Sequence, residues 1–227
     1  MKDKTRNDKA WHQLAIKFDS REDYAKAIKC YKKELRTNPR NDKAWNNRGI
    51  AYDIRGSVSK AIKCYRKALA VNSSNYRAWH NLGLTLCQKR DINLALKCFQ
   101  KSLELNPNSI KTLNYMAHAL CQKGSHEKAI GCYKKVLELG SDNDDIWHDM
   151  GHAYYFKGEY KDAITCYKRA LEINPNNISA LRNMAIAHAC NGERAEAIEC
   201  YQKTIEIDPH EIRTLNNIDI VLRNMNL

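Results

Sequence analysis

Apolar residues recur along this chain with a helical period nested inside a longer one. In residues 144–177, DDIWHDMGHAYYFKGEYKDAITCYKRALEINPNN, Trp147, Met150, Gly151 and Tyr154 fall at i, i+3, i+4 and i+7 and share one stripe of a helix. Gly158 then interrupts the pattern, as glycine does just past a helix end. Tyr160, Ala163, Ile164, Tyr167, Ala170 and Leu171 repeat the spacing in a second helix. Asn174-Pro175 closes that helix, because the residue before proline is pushed out of the α region and proline cannot continue the ladder. Gly151 and Ala163 are the small members of the two stripes, which predicts a close helix crossing with large side chains around it. Such a hairpin leaves its apolar edges exposed until a neighbouring copy covers them.

The pattern recurs every 34 residues, at 8–41, 42–75, 76–109, 110–143 and 178–211. Trp11, Trp45, Trp79 and Trp147 share one slot, which Leu113 and Leu181 fill elsewhere. Pro39, Pro107, Pro175 and Pro209 share the closing slot, with Ser73 and Ser141 in the other copies. Tyr31, Tyr65, Phe99, Tyr133, Tyr167 and Tyr201 mark one position of every second helix, and Ala27, Ala61, Ala95, Ala129, Ala163 and Ala197 another. This constellation resembles the tetratricopeptide repeat family over everything but the first seven residues. The resemblance implies an all-α fold, a right-handed α-solenoid of six helix-turn-helix repeats whose first helices line a concave groove. Residues 1–7 read as a polar lead-in. Residues 212–227 read as a capping helix, in which Leu215, Ile218 and Leu222 restate the stripe of a first helix. Arg48 departs from the pattern on a core stripe, and its stem must run along the helices to reach water or an acid. His188 stands in an aromatic slot, and Gly140-Ser141 makes a softer stop.

Composition narrows the function. No apolar run approaches the about 18 residues of a membrane span, and the first residues hold no apolar signal core. A cytoplasmic protein is expected. Cys30, Cys64, Cys98, Cys132, Cys166 and Cys200 stand one repeat apart. Stacked helices lie about 8–10 Å apart, too far for a disulfide, and no CxxC is present. Reduced thiols follow. The sequence offers no Gly-rich phosphate loop, nucleophile elbow or paired acids, so no enzyme activity, catalytic residue or cofactor is expected. The expected function is a non-enzymatic protein–protein interaction scaffold that holds an extended peptide or partner helix in the groove. An RNA-binding repeat protein and an accessory subunit of a larger enzyme complex are the alternatives.

The resemblance makes the outward face of the first helices the groove floor, with Lys43, Arg77 and Lys111 at one slot. The next slot holds Gln13, Asn47, Asn81, Tyr115, Asp149, Asn183 and Asn217. Its asparagines are similar to the groove ladder of O-linked N-acetylglucosamine transferase, where carboxamides grip a peptide main chain by donating and accepting together. Tyr115 and Asp149 interrupt that ladder. The carboxylate clamp of chaperone adaptors is not met, since its slots hold His12, Ile16, Asn47, Arg77 and Asn81. His118, His148 and His152 face the groove without a compelling fourth ligand, so they are read as polar groove residues and no metal is expected.

Charge adds a second surface. Residues 1–143 carry a net of +16 and residues 144–227 a net of −4, out of +12 in total. Much of the excess lies on the outer side of the second helices, at Lys29, Lys32, Lys33, Lys63, Arg66, Lys67, Lys97, Lys101, Lys134 and Lys135. That ridge is either a solubilising surface or a docking face for an acidic protein, an anionic membrane or nucleic acid. Nucleic acid ranks below protein there, because no exposed aromatics interleave with the basic residues.

Overall fold

A computed structural model describes residues 2–209, and the side chains of residues 10–209. The expected capping helix over 212–227, with Asn217, lies outside the described residues. Twelve α-helices and no strands make up the described chain. The first helices are α1 (Lys2–Asp19), α3 (Asp42–Ile54), α5 (Tyr76–Gln88), α7 (Ile110–Gln122), α9 (Asp144–Lys157) and α11 (Ile178–Cys190). The second helices are α2 (Tyr24–Thr37), α4 (Val58–Val71), α6 (Ile92–Leu105), α8 (His126–Glu138), α10 (Tyr160–Ile173) and α12 (Arg194–Ile207). From α4 onward every helix starts 34 residues after its counterpart in the preceding copy. The fold class is the expected all-α one. The first helix, however, begins at Lys2 and takes in the stretch read as a lead-in.

The chain divides into two compact units, Met1–Ala119 and Leu120–Leu227. In the first, each helix from α1 to α6 packs against its neighbours in sequence, and α8 to α12 do so in the second. The second-helix aromatics fill the centres of both units: Tyr31, Tyr65, Phe99, Tyr133, Tyr167 and Tyr201 are all buried. A Cβ on Gly83 would sit 2.6 Å from the Phe99 ring, and one on Gly151 2.8 Å from the Tyr167 ring. Gly49 stands against the Tyr65 ring in the same way. The small residues thus admit the rings, as the stripes required. In the other copies Ala15, Ala117 and Ala185 occupy that slot.

The helix starts have a cause that the period alone did not show. The Oδ1 atoms of Asn41, Asn75, Asn143 and Asn177 accept from the backbone N–H three residues on, at 2.9–3.1 Å. Each asparagine thereby satisfies an orphan donor of the first turn. Two copies also tie their ends together. Asp42 Oδ2 accepts from Asn72 and Asn75, and Asp144 Oδ2 accepts from Asn174 and Asn177. The tryptophans are half-buried at the edge of the core. Trp45 Nε1 donates to the Pro39 carbonyl and Trp79 Nε1 to the Ser73 carbonyl, pinning the preceding turn.

Arg48 is half-buried and pairs with no acid among the described residues. Its guanidinium lies 5.5 Å over the Trp45 ring and 5.4 Å from the Tyr52 ring, and it donates to the Tyr52 hydroxyl at 3.2 Å. Two π faces take the place of the expected carboxylate. His188 is buried, and its Nδ1 lies 2.6 Å from Glu193 Oε2. All nine cysteines are free thiols. Burial pushes the thiols of the six-member ladder up, Cys98 to about 11 and Cys166 to about 12.

Candidate functional site

In the first unit, α3, α5 and the start of α7 bring together four of the expected groove residues. Asn47, Arg77, Asn81 and Lys111 line one cavity of about 440 Å³, joined by Asn46, Ile50, Tyr76, His80, Asn106, Ser109 and Thr112. Two cations, four carboxamides, an imidazole and hydroxyls converge there, and among the described residues no carboxylate lines it. Arg77 is steered by its neighbour: its Nε donates to the Tyr76 hydroxyl at 3.2 Å. Lys111 is exposed at the rim. Lys43 is exposed and lies outside the lining.

The amides are not a row of free groups. Asn81 Nδ2 donates to Asn46 Oδ1 at 3.0 Å, and Asn46 Nδ2 donates to Asn47 Oδ1 at 3.3 Å. Asn47 also hydrogen-bonds Tyr31, whose hydroxyl donates to Asp19 Oδ2 at 2.5 Å. Asn47 therefore braces the core, while Asn81 spends one N–H on Asn46 and its carboxamide lines the cavity. Asn46 and His80 are not among the expected groove residues, and they stand one residue before the ladder. Their slot reads His12, Asn46, His80, Asn114, His148 and Arg182, a polar series that is itself a sequence signal. His80 Nδ1 is 3.0 Å from Thr112 Oγ1, which in turn is 2.8 Å from Ser109 Oγ. Burial first, and the Lys111 charge second, hold the His80 imidazole below its ordinary pKa, so it is neutral at pH 7. Tyr115 is exposed, its ring edge-on to His80 at 5.7 Å. His118 is exposed on α7.

In the second unit, His152 and Asn183 line a smaller cavity of about 150 Å³ with Tyr155, Phe156, Tyr167 and Ile186. Asn183 Nδ2 lies 3.0 Å from His148 Nε2, and His148 Nδ1 lies 3.2 Å from Asp149 Oδ1. Its rim is aromatic. Phe156 is exposed, with His152 at 4.6 Å and Tyr155 at 5.2 Å. Among the described residues no three His, Cys, Asp or Glu side chains gather as metal ligands would.

The basic ridge residues are exposed: Lys29, Lys32, Lys33, Lys63, Arg66, Lys67, Lys97 and Lys101 in the first unit, Lys134 and Lys135 in the second. Among the described residues no helix is long and apolar enough to cross a membrane.

Comparison with known proteins matches this geometry to repeat proteins. A family model described as the cytochrome c-type biogenesis protein H TPR domain matches residues 57–175. Models described as tetratricopeptide repeat match residues 142–210 and 12–70. No curated protein matches the sequence. Among solved structures, YrrB, described as a TPR protein with an unusual peptide-binding site, has a TM-score of 0.75 at 20% identity, over 82% of this chain and 96% of its own. The pilF protein of Pseudomonas aeruginosa has a TM-score of 0.74 at 19% identity, over 94% and 97%. A TPR protein part from Cytophaga hutchinsonii has 0.76 at 21%, over 86% and 78%. At these identities the likeness shows the fold.

Proposed function

Since the chain belongs to the tetratricopeptide repeat family, we propose that it is a non-enzymatic interaction scaffold, cytoplasmic, that holds an extended acidic peptide against α3, α5 and α7. The cavity lining carries this reading. Arg77 and Lys111 supply positive charge, Asn81 offers a donor and an acceptor to a peptide group, and among the described residues no carboxylate there opposes an anionic side chain. Ile50 adds an apolar wall. A peptide laid there gains main-chain hydrogen bonds together with charge pairing, the combination that suits an extended segment.

The test is fluorescence anisotropy with a labelled alternating glutamate–serine peptide and its lysine–serine counterpart. The acidic peptide should bind and the basic one should not. Arg77→Gln combined with Lys111→Gln should weaken binding about tenfold or more without moving the melting temperature, since both side chains are exposed, whereas Asn81→Ala would also take the donor from buried Asn46. Asn47 is the wrong residue to remove, because its loss also strips Tyr31 of a partner. Equal affinity for both peptides, or an unaffected double variant, would reject the reading.

The family-model match over 57–175 favours a second reading. In it the chain is an accessory subunit of a larger enzyme complex, of the kind that a cytochrome c-type biogenesis protein serves. Co-purification with a catalytic subunit from native extract decides that.

A further inference from the structure

The outer faces of α2 and α4 hold a second set of basic side chains, which the peptide cavity does not use. The α4 helix carries Lys60, Lys63, Arg66 and Lys67 and no acid at all. The α2 helix carries five basic residues and one acid, Glu34. That acid is buried, bound by His12 Nδ1 at 3.0 Å and Asn41 Nδ2 at 2.6 Å, so it does not offset the face. Lys29, Lys32, Lys63 and Arg66 form no ion pair among the described residues. The next second helix is different, because Lys101 is neutralised by Glu104 at 2.6 Å.

Four of the lysines rest on rings, and three of these four have no acid beside them among the described residues. Lys26 Nζ lies 5.4 Å over Phe18 and Lys33 Nζ 4.0 Å over Trp11. One repeat later, Lys60 Nζ lies 5.7 Å over Tyr52 and Lys67 Nζ 5.2 Å over Trp45. A π face fixes an ammonium without cancelling its charge, whereas a carboxylate does both. Of these four, Lys26 has an acid as well, Asp23 at 2.8 Å. The result is a pre-ordered cationic array whose members at i, i+3 and i+4 are neighbours on each helix.

From this we propose that the α2–α4 face binds the phosphodiester backbone of nucleic acid. A protein partner needs an apolar centre, and lysine is depleted in such interfaces. A membrane-binding surface of this kind gains from an apolar face that can insert. Of the large apolar side chains on α2 and α4, only Val71, the last residue of α4, is exposed. Phosphate groups, by contrast, are gripped chiefly by lysine and arginine, with no reading of sequence. The tryptophan rings lie under lysines, so they hold cations and do not stack bases.

The experiment is anisotropy with labelled oligouridylate and oligothymidylate long enough to cross both helices, over a salt series. Both should bind, with affinity falling steeply as salt rises. The variant K29Q/K32Q/K63Q/R66Q changes only exposed side chains and should keep the parental melting curve. It should bind about tenfold or more weaker, with a salt slope shallower by about 0.7 for each phosphate that it no longer neutralises. The variant R77Q/K111Q, which disables the peptide cavity, should bind the oligonucleotides as the parent does. No binding at low salt, or an undiminished quadruple variant, overturns the proposal. So does preference for polyglutamate or for phosphatidylserine vesicles over both oligonucleotides, since that would make the face an acidic-protein or membrane surface.

Discussion

Asp53 occupies the twelfth position of its copy, as Asp19 does in the first, and neither carboxylate is fully served. Asp53 Oδ2 accepts from Thr85 Oγ1 at 3.1 Å, and the Oδ1 atoms of both residues are buried without a partner. Burial raises both acids above the ordinary carboxylate value, against a smaller lowering from the Thr85 and Tyr31 hydrogen bonds. The sign follows. A folded-state pKa above the unfolded one means that the native state keeps its proton longer, so the contribution to stability is full in acid and is lost as pH rises through the raised value. Asp53→Asn mimics the protonated form at every pH. It should be more stable than the parent at neutral pH and level with it at acid pH below the ordinary carboxylate range. Denaturant midpoints across pH measure this, and an offset independent of pH would contradict it. Tyr167 makes a different prediction, from packing alone. Its ring is buried against Gly151. Tyr167→Ala should cost about 3–5 kcal/mol, because the cavity left cannot collapse fully. A loss within error in chemical denaturation would place that ring outside the core.

Each first helix is closed by a turn that demands a left-handed residue, and four copies meet the demand with glycine. Gly56, Gly124, Gly158 and Gly192 have φ between +69° and +85°. Glu22 and Arg90 fill the slot in the first and third copies, at φ of +58° and +60°. A side chain in this region costs roughly 1–2 kcal/mol, partly offset by the greater freedom that glycine has when unfolded. Arg90→Gly should therefore raise stability by about 0.5–1 kcal/mol; a lower denaturation midpoint would show that the Arg90 side chain contributes more than its strain costs. The fourth second helix ends differently from the others. Gly140 at φ +83° turns the chain there and α8 ends at Glu138, one residue short, whereas α4, which also lacks the proline, runs its full length to Val71. Copy number, hairpin order and helix type were all legible here, because the 3.6-residue period and the 34-residue period reinforce each other in six copies. The asparagine caps were equally present in the sequence. Apolar periodicity does not see them, because a cap is a polar group serving an orphan N–H.

Across the whole molecule, charge and groove divide the labour differently from what composition suggested. A net of +16 over residues 1–143 is a sum, and a sum does not say which charges remain open. The structure splits it into the Arg77 and Lys111 pair in a cavity, the Lys101 charge offset by Glu104, and lysines resting on rings. The candidate site was half legible for the same reason. Slot arithmetic on the first helices found Asn47, Arg77, Asn81 and Lys111, since 100° per residue fixes a face. It could not say that Asn47 turns to Tyr31, or that Asn46 and His80 join the lining. The sequence alone determined the all-α class, the alternation of first and second helices and the identity of the buried rings, because these depend on local periodicity and on burial that every copy must satisfy. Tertiary structure alone decided which amides bond to one another, that Arg48 ends on aromatic rings, and which lysines have an acid beside them. Those outcomes depend on which of several partners a side chain meets, from three residues away for Arg48 on Trp45 to 35 for Asn81 on Asn46, and side-chain direction selects among them only once the helices have packed.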